Sequence, residues 1–120
     1  MPEASLQQLA HAIAQFAAER DWEKFHSPKN LVMALSCETA ELMEHFQWLT
    51  QEESRSLSAE KKNQVAMEMA DVFIYLLRLA EQLQLDLLTA AQTKLALNAE
   101  KYPAAKVRGS AKKYDEYSDE

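Results

Sequence analysis

Four carboxylates, set in pairs at a spacing of three inside apolar helical sequence, constrain this chain more than any other feature. Glu38 and Glu41 lie in Leu35-Ser-Cys-Glu-Thr-Ala-Glu-Leu-Met-Glu44, and Glu68 and Asp71 in Val65-Ala-Met-Glu-Met-Ala-Asp-Val-Phe-Ile-Tyr75. At that spacing both members of a pair share one helix face. Like charges so placed repel, and the neighbours are Leu, Met, Val, Phe and Ile rather than lysines. Burying carboxylates without a partner is strongly unfavourable, so a cation is expected between the two pairs. An all-oxygen set of four carboxylates suits a hard divalent ion, Mg²⁺ or Mn²⁺, and reads as a catalytic metal site. The plainer reading of Glu38, Glu41 and Glu44 is a solvated acidic stripe. Glu68 and Asp71 fit that reading less well, because their helix has little exposed face to spare.

The rest of the sequence says what frame could hold such a site. One Gly and three Pro in 120 residues, with abundant Ala, Leu, Gln and Glu, predict an all-α fold in one domain with a modest core. Gly109 stands alone, which excludes a P-loop and a dinucleotide-binding fingerprint. Phosphates, if bound, must therefore be held by metals and basic side chains. The net charge of −6 argues against gripping a nucleic acid backbone. Cys37 has no second cysteine to pair with and reads as a small buried hydrophobe. Met1-Pro-Glu-Ala-Ser lacks the basic start and apolar run of a leader, and charges interrupt every apolar stretch. No membrane partner is expected, and the expected location is the cytoplasm.

A first helix is expected over residues 5–20, its apolar stripe built from Leu6, Leu9, Ile13, Phe16 and Ala17. Ser27-Pro28 gives a hydroxyl cap followed by Pro at the first helical position, starting a second helix that should run to Trp48 or Leu49. Residues 50–57 read as a polar connector without a core pattern. Ser58 caps a long third helix, expected to reach residue 83, and a fourth runs from near Asp86 to Pro103. Four helices with short connections predict a four-helix bundle-like domain over residues 1–103. Residues 104–120 form a polar tail whose basic cluster includes Lys106, Arg108, Lys112 and Lys113, a candidate flap on the phosphate side of a site. The apolar middle of the third helix, residues 72–77, exceeds what a lone bundle covers and predicts oligomerisation through a symmetric dimer. Met33, Met43, Met67 and Met69 read as core filler. Trp22 and Trp48 flank the second helix as packing anchors, with stacking on a nucleobase as the alternative. His26 reads as a loop or capping residue. The Glu-x-x-His spacing of di-iron bundles is absent, because His45 follows Glu44 and Glu41 by one and four residues, which disfavours iron–oxygen chemistry.

At these residues the chain resembles the all-α nucleoside triphosphate pyrophosphohydrolases of the MazG-type superfamily, and within it the dCTP pyrophosphatase branch. The resemblance rests on Phe16-Ala-Ala-Glu-Arg-Asp-Trp-Glu-Lys-Phe-His26, Asn30-Leu, the two acidic pairs, Phe46-Gln-Trp48, residues 68–77, Lys101-Tyr-Pro-Ala104 and Lys113-Tyr114. It implies hydrolysis between the α- and β-phosphates, with Glu38, Glu41, Glu68 and Asp71 holding Mg²⁺. By the same matching Trp22 and Trp48 lie near the base, with His26 in the same stretch as Trp22. Asn98 and Tyr102 would come close to the nucleotide, and Lys94, Arg108 and Lys113 would contact phosphate. It further implies a homotetramer built as two dimers. Relatives in that branch can carry a His in the first helix where this chain has Ile13, a departure that bears on the strictness of cytosine preference. Water attacks in line and pyrophosphate leaves; Glu41 is the first candidate for orienting that water and Glu44 the second. Conversion of dCTP to dCMP and pyrophosphate, as nucleotide-pool house-cleaning, is the expected activity. A broader range that includes modified dNTPs or dUTP remains open from the sequence, and so does a non-enzymatic helical module with an acidic face.

Overall fold

A computed structural model describes residues 5–109, and all regular structure among them is helical. The elements are α1 (Leu6–Glu19), a 3₁₀ turn (Glu23–Phe25), α2 (Pro28–Glu44), α3 (Gln51–Ser54), α4 (Ala59–Gln82), α5 (Leu87–Lys101) and α6 (Ala104–Val107). The start of each long helix is written in its cap. Ser5, Ser27 and Ser58 accept from the backbone N–H three residues on at 3.1, 3.2 and 3.1 Å, and Asp86 does the same at 3.1 Å. Each bond satisfies a donor that the helix itself leaves orphaned.

Two helix ends are made without glycine. Asp21 (φ 54°) and Gln84 (φ 55°) take the left-handed conformation just beyond α1 and α4. Trp22 N–H then donates to Ala17 O at 2.9 Å and Asp21 N–H to Ala18 O at 3.1 Å, the Schellman pattern. Leu85 and Gln84 repeat it on Ala80 and Glu81 at 2.8 and 3.0 Å. A non-glycine residue at such a φ carries a Cβ penalty.

Contacts divide the chain into two compact units at Leu85/Asp86. In the first, α4 packs against α2 and, over a smaller area, against α1. Ala17, Leu31, Val65, Leu77 and Ala80 are buried there. The inner stripe of α2 runs Leu31, Leu35, Glu38, Leu42, His45, all buried or half-buried at helical spacing. The second unit carries α5 and α6.

Several expectations need correction. α2 stops at Glu44, and residues 45–48 are turns in which His45 and Phe46 bond back three residues, to Leu42 and Met43. Such tightening closes a helix without a Gly or Pro. The connector holds α3, started by Thr50 and Glu53 in a reciprocal capping box. Pro103 does end α5's run, but α6 begins directly after it. Cys37 is exposed rather than buried. Met33, Met43, Met67 and Met69 are all exposed in the single chain, as are Phe73 (41%) and Ile74 on α4, where cover on several sides was expected.

Candidate metal centre

The two acidic pairs face each other across the α2–α4 contact, but the members of a pair are not equivalent. Glu38 and Glu68 sit on the inner stripes of their helices and are half-buried; Glu41 and Asp71 are exposed at the rim. One carboxylate of each pair thus replaces an apolar side chain in a helix–helix seam. One ligand oxygen from each of Glu38, Glu41 and Glu68 lies within 4.8 Å of the other two. Asp71 stands outside that group of three, yet its charge reaches Glu38.

The electrostatics of this seam are unfavourable as they stand. Glu38 is pushed up to about 7 by burial, by its hydrogen bond with Glu41, and by the charges of Glu41, Asp71 and Glu68. The Tyr75 hydroxyl is pushed up by burial and by the same acidic neighbours, Glu38, Asp71 and Glu41. Oε2 of Glu38 and Oε2 of Glu68 are buried with no hydrogen-bond partner. Buried polar atoms are nearly always partnered; two orphaned oxygens converging from facing helices fit a bound cation. Oxygen donors alone suit a hard ion, not a thiophilic one.

Glu44 is exposed at the last position of α2, one turn beyond Glu41 and outside the group of three. Trp22 and His26 belong to the segment between α1 and α2. Trp22 is 44% exposed, edge-on to Phe16 at 5.7 Å between ring centroids and to His26 at 6.5 Å. The Arg20 guanidinium covers the Phe16 ring at 3.6 Å. Trp48 is 86% exposed in the turn after α2. On α5, Lys94 is exposed and Asn98 half-buried one turn later, and half-buried Tyr102 caps the helix by donating its N–H to Asn98 O at 2.8 Å. Arg108 is exposed after α6, and Lys113 lies outside the described residues.

Sequence reasoning passed over one residue of this unit. Arg78 is 3% exposed, the one buried charged side chain among the described residues. Its signal was a lone cation within the apolar run Val72-Phe-Ile-Tyr-Leu-Leu-Arg-Leu-Ala80. Glu68, Asp71, Tyr75 and Arg78 fall within one narrow arc of α4, at i, i+3, i+7 and i+10.

Residues 33–117 match the MazG-like family. The chain belongs to that family. Among characterised proteins it is similar to dCTP pyrophosphatase 1 of Homo sapiens, with 43% identity over 96% of this chain and 69% of that one. It is likewise similar to dCTP pyrophosphatase 1 of Rattus norvegicus, 44% identical over 94% of this chain and 68% of the other. A crystal structure of a pyrophosphatase from Archaeoglobus fulgidus superposes with a TM-score of 0.67 at 32% identity, covering 86% of this chain and 96% of that one.

Proposed function

We propose that the chain is a Mg²⁺-dependent nucleoside triphosphate pyrophosphohydrolase that converts dCTP to dCMP and pyrophosphate. The observation that carries the chemistry is the pair of orphaned inward oxygens, Glu38 Oε2 and Glu68 Oε2, on facing helices. The name borne by the mammalian relatives supports dCTP as the substrate.

In this reading Glu38, Glu41, Glu68 and Asp71 hold Mg²⁺, with Mn²⁺ able to replace it. Bound there, the ion neutralises triphosphate charge and makes the α-phosphorus more electrophilic. Glu41, at the rim of the seam, accepts a hydrogen bond from the attacking water and takes its proton; Glu44 is the alternative base. The bond from the α-phosphorus to the α–β bridging oxygen breaks, and pyrophosphate leaves with that oxygen. Lys94, Arg108 and Lys113 supply positive charge to the phosphates. Trp22, Trp48 and His26 receive the base, and Asn98 and Tyr102 contact the nucleotide. Residues 1–103 act as the helical domain, with residues 104–120 as the phosphate-side flap. The open apolar residues of α4, Phe73 and Ile74, support assembly with further copies, as a homotetramer made of two dimers. The cellular role is nucleotide-pool house-cleaning in the cytoplasm. Among the described residues no helix is long and apolar enough to cross a membrane.

The test is product analysis with each dNTP and Mg²⁺. The expected result is dCMP and pyrophosphate in equal amounts, with little monophosphate from the other nucleotides. Comparable turnover of several dNTPs would keep the chemistry and replace the substrate assignment with a broad one. No monophosphate from any dNTP would overturn the enzymatic reading.

A further inference from the structure

The Arg78 guanidinium has built-in partners. Its Nε donates to Nδ1 of His26 at 3.1 Å, a link between residues 52 apart in sequence, and its Nη1 donates to Glu81 Oε2 at 3.3 Å. A guanidinium has donors only, so Nδ1 of His26 must be the acceptor and the ring proton resides on Nε2. A protonated imidazole would set N–H against N–H. Consistent with this, burial and the Arg78 charge hold His26 below its ordinary range, against a smaller opposing pull from Glu23. The backbone around the ring is fixed as well. His26 N–H donates to Glu23 O at 3.0 Å, and Asn30 Nδ2 donates to Phe25 O at 3.0 Å. The imidazole is thus held as one tautomer, edge-on to the half-exposed indole of Trp22.

We propose that Arg78 is a positioning residue for base recognition: it holds His26 as a neutral Nε2–H donor beside Trp22, so that the aromatic pair favours a pyrimidine with an unprotonated ring nitrogen. This rests on the pyrophosphohydrolase reading. Cytosine and uracil differ along this edge, because N3 of cytosine accepts a hydrogen bond whereas N3–H of uracil donates one. A donor that cannot change tautomer meets the first and repels the second. A freed imidazole could move its proton and accept either.

The test uses the full-length protein and compares dCTP with dUTP. Histidine-selective ¹⁵N correlation spectra should show His26 as the single Nε2–H tautomer. Arg78→Met fills the volume without donors; it should give mixed tautomers and lower the ratio of kcat/KM for dCTP over dUTP about tenfold. That loss should come mainly through KM for dCTP. Arg78→Lys, a donor-only replacement, should restore both tautomer and ratio. Adding Arg78→Met to His26→Ala should change the ratio no further. Equal loss of activity on both nucleotides, or an Nδ1–H or mixed ring in the wild-type protein, overturns the proposal. If Arg78→Met does not fold, the wild-type tautomer and the ratio in His26→Ala decide. Wild-type protein inactive on both nucleotides would overturn the enzymatic reading and this proposal with it, whereas the wrong wild-type tautomer overturns this one alone.

Discussion

The two ends of α4 bury charge in opposite ways. Towards the N-terminal half, Glu68 and Asp71 look across at Glu38 and Glu41: four acids, none in an ion pair within 4.0 Å among the described residues, and two buried oxygens without a partner. Ten residues past Glu68, on the same arc of the helix, Arg78 is buried more deeply and yet is bonded to His26 and Glu81. Depth of burial therefore does not distinguish a binding centre from a brace; completeness of partnering does. The acidic seam is arranged as a cation could complete it, whereas the guanidinium takes its partners from the chain itself.

The largest effects should come from the unfinished end. Glu38→Gln, Glu68→Gln or Asp71→Asn is expected to lower pyrophosphate release by at least two to three orders of magnitude, roughly the effect of losing a principal electrostatic group in a site. Circular dichroism should show the helices intact, and the apo melting temperature should hold or rise as repulsion is relieved. Near-native turnover in any of the three would break the contrast. At the finished end, Arg78→Ala strands Nδ1 of His26 and leaves a void, and should cost about 3 kcal/mol in denaturant unfolding. A neutral result would mean that the guanidinium braces nothing.

Mg²⁺ at a hundredfold excess over its Kd should stabilise the protein by about 2.7 kcal/mol, reversed by EDTA and absent in the Glu38→Gln, Glu68→Gln double variant. The pH dependence separates the two ends by sign. Glu38 is raised from 4.5 to about 7 in the folded protein, so the folded state holds the proton more tightly than the unfolded chain. Apo stability should fall as pH rises from about 4.5 to 7, on the order of 2 kcal/mol allowing for partial exposure, and Glu38→Gln should remove that slope. Mg²⁺ should oppose it, because ligation needs ionised carboxylates. His26 is lowered instead, so its contribution is lost as pH falls below about 6.5 through its folded-state value. The smallest effect should be Ser58→Ala, about 1 kcal/mol by thermal unfolding with activity unchanged.

How much of this was legible in the sequence varied with the range of the forces involved. The helix starts at Ser27 and Ser58 were readable from their caps, because a cap acts within three residues, and Ser5 and Asp86 cap the helices expected to begin at or near them. The end of α2 was not, since tightened backbone bonds at residues 45–48 terminate it and no Gly or Pro marks them. Thr50-Gln-Glu-Glu53 did carry the capping signal of α3, hidden inside what read as a charged connector. The acidic pairs were visible as a pattern. Their division into inward Glu38 and Glu68 and rim Glu41 and Asp71 was not, because spacing fixes a shared face but depth depends on where the partner helix lies. Arg78 was overlooked because its reason for being buried, His26, is half the chain away.

The left-handed residue after α1 has a consequence for how such a protein can change. Trp22 owes its direction to the Asp21 backbone, bent at φ 54° and tied to Ala17 and Ala18, while the carboxylates project from the sides of α2 and α4. Asp21→Val, a β-branched residue poorly suited to that conformation, would swing the indole without disturbing one oxygen of the seam. Asp21→Gly would relax the same bend at no steric cost. On the proposed assignment of base to Trp22 and metal to the carboxylates, selectivity and reaction would hang on separate joints, and evolution could turn one while the other stays still.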